Sequence, residues 1–174
     1  MNLQQCEGWA RRVRHRSWYG DLRDLGRSLR APRQESSRLL IVGHPDDQPW
    51  HLTAHLDMLA TFRGIPELRP SLVRGIELPA QRSDAILVVS EQRVPDALLE
   101  RLDDARSLGA TVLGLSTDNP ELDSLAHEAV SLDLDRLDLG VAGLVADFEL
   151  ASHMFGVAAA APDRRLPLSR LRRR

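Results

Sequence analysis

The chain has 174 residues, 43% of them hydrophobic and 28% charged, with a formal net charge of -2, which fits one globular domain able to bury its own core. No apolar run approaches the ~20 residues that cross a bilayer, and the small net charge argues against a general nucleic-acid binder. Cys6 is the only cysteine, which excludes an intrachain disulfide framework and a cysteine-based zinc knuckle.

In chain order, the first stretch is basic (MNLQQCEGWARRVRHR) but no apolar segment follows it, so a secretory signal is not expected and a cytoplasmic location is the default. Lysine is absent and all 23 basic residues are arginine, which excludes Schiff-base chemistry. Leu3, Trp9, Val13, Trp18, Leu22, Leu25 and Leu29 recur at helical spacing and predict one or two amphipathic helices over residues 2–30, with a break at Tyr19-Gly20. Residues 31–37 form a polar connector. Leu39–Val42 is a short apolar run ending at Gly43, as a strand buried on both faces would be. Leu52, Leu56 and Leu59 then predict a helix from Trp50 to Phe62, stopping at Gly64, and a loop rich in Pro and Arg follows.

The second half alternates regularly. Residues 85–89 predict a strand, 95–108 a helix, 111–115 a strand, 120–127 a short helix, 129–132 a short strand and 141–161 a long apolar helix. Continuous apolar strands alternating with helices predict an α/β fold: a three-layer αβα sandwich on a mostly parallel, doubly wound sheet. We expect an N-terminal helical segment over 1–37, the α/β domain over 38–161 and a basic tail over 162–174, where Arg170, Arg172, Arg173 and Arg174 close the chain.

Ligands of such sheets bind at the carboxyl ends of the strands. Three polar loops qualify: Gly43–Pro49, Ser90–Val94 and Ser116–Asn119. Each precedes a helix, whose free N–H groups favour anions. Gly43, His44, Asp46, Asp47, Ser90, Gln92, Arg93, Ser116 and Thr117 are therefore the candidate ligand-binding residues. Asp46 and Asp47 are also expected to cap and charge the first turn of the following helix, with Pro49 in that turn.

The series Ser83–Ser90, Pro95–Thr117 and Leu122–Ala126 resembles sugar isomerase (SIS) domains, in layout those of the phosphoheptose isomerase group. The resemblance covers about residues 38–160. It implies a phosphosugar or similar small anionic ligand, no metal, and a homodimer or homotetramer in which neighbouring chains complete the sites. It also implies that Glu149 and His153, one turn apart on the last helix, are the catalytic candidates for moving a proton between adjacent carbons. The second loop of that family is rich in Ser, Thr and Gly. Here it reads Ser90-Glu-Gln-Arg-Val94, with one serine, an added carboxylate and Arg93 as the compensating cation. A divergent SIS-type binding protein in a regulatory, accessory or scaffold role is expected on these grounds, with an active phosphosugar isomerase as the alternative.

His44-Pro-Asp-Asp47 after an apolar strand also resembles the zinc-dependent N-acetylglucosaminyl deacetylases. That resemblance implies zinc on His44 and Asp47 with Asp46 as base. His51 and His55, four apart, are a further acceptable ligand pair. A zinc hydrolase is the second alternative.

Overall fold

The computed structural model describes residues 18–30, 37–132 and 140–161. The connector at 31–36, the tail at 162–174 and the helical expectation before Trp18 lie outside the described residues. Within them, α1 (Trp18–Ser28) is followed by β1 (Leu39–Val42) and α2 (Trp50–Arg63). A 3-10 turn (Pro66–Leu68), β2 (Pro70–Val73) and β3 (Ala85–Ser90) come next. The chain continues through α3 (Asp96–Ser107), β4 (Thr111–Ser116), α4 (Pro120–Leu125), β5 (Glu128–Ser131) and α5 (Gly140–Ala159).

The five strands form one sheet in the order β2-β1-β3-β4-β5, and every neighbouring pair is parallel. A strand turns successive side chains to opposite faces, and the buried runs of β1 and β3 divide accordingly. Leu39, Ile41, Leu87 and Val89 pack with Leu22 and Leu25 of α1, Leu52 and Leu56 of α2, and Phe148 and Phe155 of α5. Leu40, Val42, Ile86 and Val88 pack on the other face with Leu98 and Leu102 of α3 and Leu122 of α4. The result is the expected α/β sandwich of three layers. Each fully buried Leu or Phe in these clusters contributes roughly 1.5–3 kcal/mol of burial.

Two local expectations are corrected. The Pro- and Arg-rich stretch after Gly64 is not simply a loop, because Pro70–Val73 pairs along the whole of β1 as an edge strand. Proline is tolerated there as the first residue of an edge strand, and only Val73 of the four is fully buried, so no apolar run announces it. Nor is the helix broken at Tyr19-Gly20. The α1 helix runs through Gly20, whose surroundings hold no atom within 4 Å of an added Cβ. An exposed glycine weakens a helix by about 1 kcal/mol without ending it.

At the amino end of the sheet, Arg38 and Asp84 tie the starts of β1 and β3 together. Asp84 is 1% exposed and accepts from Arg38 Nη2 at 2.6 Å, Arg38 N at 3.0 Å and Gln81 N at 2.9 Å. Burial pushes its carboxyl up, but the Arg38 hydrogen bonds outweigh that and hold it below the usual carboxylate value. This pair belongs to the scaffold; it lies at the opposite end of the strands from the loops described next.

Candidate functional site

The strand order sets the place. From β1 the chain turns through α2 to β2, and from β3 it turns through α3 to β4 on the other side. The loops leaving these two adjacent strands diverge, and a crevice opens between them. A cleft of about 240 Å³ occupies that position. Its walls come from the first loop (Asp47, Gln48, Pro49), the start of α2 (Trp50, His51, Leu52, His55), the end of β3 (Val89, Ser90, Glu91) and α5 (Phe148, Glu149, Ser152, His153).

The first loop is a tight turn held by its own backbone. Asp47 N donates to His44 O at 2.9 Å, Gln48 Nε2 donates to His44 O at 3.1 Å, and Asp46 N donates to His44 Nδ1 at 3.2 Å. Gly43 allows the turn to fold down onto the sheet. A Cβ there would lie 2.5 Å from Pro49 Cδ, 2.9 Å from Asp47 O and 3.0 Å from Val89 O. The expected capping by Asp46 or Asp47 is not what forms: Pro49 is the N-cap of α2, no side chain caps it, and the first turn holds no acidic residue. Thr53 Oγ1 instead donates back to Pro49 O at 2.8 Å. The turn's own hydrogen bonds hold Asp47 two residues and Asp46 three residues ahead of the N-cap position, too early to cap the helix amides.

The second and third loops are knitted to each other. Ser90 Oγ donates to Gln92 O at 2.7 Å and Thr117 Oγ1 to Glu91 O at 2.6 Å. Asn119, 1% exposed, accepts from Val94 N at 2.7 Å through Oδ1 and donates to Gln92 O and Thr117 O through Nδ2. Asn119 closes the third candidate loop without being among the expected ligand residues, and its role is to tie the second loop to the third. Its signal was an asparagine before the proline that opens α4, a polar group bound to find backbone partners.

Of the candidate ligand residues, Asp47 and Ser90 line the cleft, as do both catalytic candidates, Glu149 and His153. Gly43 and His44 shape the turn behind it. Asp46 is exposed on that turn. Ser116 and Thr117 sit beneath the second loop, and Gln92 lends only its carbonyl to the loop network. Arg93 is engaged by Glu121 at 2.9 Å and by Asp96 at 3.9 Å. Two of the three loops thus form the rim, and the third buttresses the second.

One wall is a ladder between two helices, exposed at its His51–Glu149 end. His51 and His55 stand one turn apart on α2, and Glu149 and His153 one turn apart on α5. His51 Nδ1 lies 3.5 Å from Glu149 Oε1, and His55 Nδ1 lies 3.0 Å from His153 Nδ1, with the rings edge to face. Burial, then the neighbouring His153, pushes the His55 imidazole below its ordinary value. At 3.0 Å one Nδ1 donates and the other accepts, so the pair is suited to hold and pass a single proton. Across the cleft, burial and then the charges of Asp47 and Glu149 raise the Glu91 carboxyl. Such a set can accept hydroxyl hydrogen bonds. Among the described residues no three His, Cys, Asp or Glu side chains gather to hold a metal ion. Trp50 stands at the mouth, half exposed, with the Arg74 guanidinium stacked 4.7 Å from its ring centroid.

By sequence, neither a family model nor a curated protein matches the chain. By structure, it matches a protein of Silicibacter pomeroyi provisionally assigned as a phosphosugar isomerase, with a TM-score of 0.61 and 18% identity over 84% of this chain and 46% of the other. A provisionally assigned phosphosugar isomerase of Salmonella typhimurium matches with a TM-score of 0.53 and 14% identity over 83% and 44%. The sugar isomerase domain of an RpiR transcription factor from Sphaerobacter thermophilus matches with a TM-score of 0.50 and 16% identity over 76% of each chain. The chain spans about half the length of the first two. It has the fold of the SIS domains.

Proposed function

We propose, on the premise of a SIS fold, that the chain is a divergent SIS-type protein binding a phosphorylated sugar or similar small anionic ligand, in a regulatory, accessory or scaffold role. The observation that carries this reading is the cleft at the β1/β3 divergence, lined by hydroxyl, imidazole and carboxylate groups of the kind that bind a sugar's hydroxyls. The phosphate belongs outside that interior. Among the described residues no arginine lines the cleft, and a dianion beside Asp47, Glu91 and Glu149 would be repelled. Arg74 at the mouth is the better partner: it stacks on Trp50, and no ion pair engages it among the described residues. The sugar would lie between the Trp50 ring and the histidine ladder.

Thermal unfolding with a panel of pentose and hexose phosphates, and with inorganic phosphate as control, tests the reading, since a ligand of the folded form raises Tm. A sugar phosphate should shift Tm more than phosphate does, and Arg74→Ala should remove most of the difference. Loss of the difference in Arg93→Ala alone would move the anion site to the second loop.

Aldose–ketose isomerisation is the second reading, favoured by the pairing of Glu149 with His51 and of His153 with His55. One carboxylate would take the proton from carbon and an imidazole would serve the adjacent oxygen. Interconversion followed by NMR, lost in Glu149→Gln with binding retained, would establish it. A homo-oligomer is part of the proposal as well. Met58 and Phe62, one turn apart on α2, are 58% and 82% exposed, and apolar groups displayed together favour association. Sedimentation velocity tests it, and a monomer at micromolar concentration would remove it. The zinc-hydrolase reading has less behind it, because His44 is bound into its own turn while Asp47 faces the cleft.

A further inference from the structure

A second cavity shares His55 and His153 with the cleft. We infer that it is a separate binding site for an apolar monocarboxylate, a small amphiphile with one anionic end. Its volume of about 420 Å³ exceeds that of the cleft and falls in the range of small-molecule sites. Leu22 of α1, Met154, Val157 and Ala158 of α5 and the following Ala161 give it apolar walls.

Charge complementarity selects the anion. Among the described residues no Asp or Glu lines this cavity, whereas Asp47, Glu91 and Glu149 line the cleft. Arg23 does line it, and no ion pair engages its guanidinium among the described residues. Arg27, one turn further along α1, is by contrast paired with Asp24. A carboxylate set beside Arg23 would gain a charge-assisted contact that the guanidinium fork suits. A sugar, hydroxylated on every side, would leave the apolar walls without a partner.

The other polar groups of the lining are donors. Tyr19, partly buried against the core, lines the cavity, and its hydroxyl makes no hydrogen bond among the described residues. His55 and His153 share one proton between their Nδ1 atoms at 3.0 Å. The ring that accepts carries its own proton on Nε2, so the pair always keeps an N–H to give. The apolar side points to a ligand as well. Val157 lines the cavity yet is 59% exposed, and an aliphatic chain laid over it would take that surface out of water.

The test uses the full chain at pH 7 in isothermal titration calorimetry, with hexanoate, octanoate, decanoate and decyltrimethylammonium as probes, all below their micelle concentrations. Affinity should climb about threefold per added methylene. Decanoate should bind at least about fivefold more tightly than decyltrimethylammonium, the scale of one exposed ion pair, and Arg23→Gln should bring the two within about twofold. Val157→Glu, at an exposed position, should melt like the parent and no longer bind decanoate. In NMR spectra decanoate should shift the ring signals of His55 and His153 and leave those of His44 and His127 in place. No binding of decanoate, affinities that ignore chain length or charge, or binding unaltered in Val157→Glu would overturn the inference. Ring shifts confined to His51 would place decanoate in the cleft and overturn it too. Decanoate binding lost as protein concentration rises, with a dimer appearing in sedimentation velocity, would assign the cavity to a second copy of the chain and also overturn it. Each of these results leaves the sugar reading, which concerns the cleft, standing.

Discussion

Gly43→Ala probes the joint between scaffold and site. The added methyl would meet Pro49 Cδ at 2.5 Å, Asp47 O at 2.9 Å and Val89 O at 3.0 Å. None of these is the free end of a flexible side chain: two are backbone oxygens and the third is a ring carbon. Ordinary contact begins near 3.4 Å, so Pro49 must retreat by roughly 0.9 Å, the difference between 3.4 and 2.5. Pro49 is the N-cap of α2, and moving it carries Trp50 and His51 along. Forced overpacking of this kind costs about 1–3 kcal/mol, which for a chain of this length lowers Tm by about 2–4 °C per kcal/mol. Thermal unfolding followed by circular dichroism reads the loss, with Gly20→Ala as the control of opposite sign. Nothing lies within 4 Å of a Cβ at Gly20, and alanine in an exposed helix should gain about 0.5–1 kcal/mol. If Gly43→Ala melts within a degree of the parent, or if it loses stability without weakening sugar-phosphate binding, the described seating of the first loop is wrong.

The remaining predictions concern charge. The folded-state carboxyl of Glu91 lies above its ordinary value of 4.5. The folded chain therefore holds the extra proton in the window above pH 4.5, and stability falls as pH rises through it. Glu91→Gln should be more stable than the parent at pH 7, with the gap closing below about pH 4.5 in urea titrations; an equal or lower stability at pH 7 would refute this. For His55 the sign reverses. Its folded-state value lies below 6.5, so stability is full above that pH and declines as pH falls through the window beneath it. His55→Gln should flatten that decline, and an unchanged slope between pH 7 and 5 would count against the His55–His153 contact. Asp84→Ala removes a buried acceptor of several charge-assisted bonds and should cost roughly 3 kcal/mol without changing ligand affinity. A matching loss of affinity would contradict its scaffold role.

The layered fold could be read from the sequence because its strongest signals are local. Ile86 to Val89 and Val112 to Leu115 are uninterrupted apolar runs, and the leucines of α3 repeat at helical spacing, so each element declares its own type. β2 did not, since an edge strand with one fully buried residue and a proline at its head carries no periodic pattern. At the site, sequence placed Glu149 and His153 on one helix face and marked His51 and His55 as a spaced pair. It could not bring the two pairs together, because the contact between α2 and α5 is a fact of packing between segments almost a hundred residues apart. The same limit hid the stacking of Arg74 on Trp50, since each is ordinary in its own neighbourhood. Asp46 and Asp47 misled for a physical reason: a turn closed by backbone hydrogen bonds competed with the helix for them, and the turn prevailed.

Hydrogen–deuterium exchange of the full chain, with and without a saturating sugar phosphate chosen as the panel member with the largest Tm shift, bears most directly on the claim that the β1/β3 crevice is the binding site. Slowed exchange should concentrate in residues 43–55, 89–94 and 148–153, with β5 and the far end of α3 unchanged. Protection centred instead on Arg93, Glu121 and the start of α3, with residues 43–55 unaffected, would contradict it.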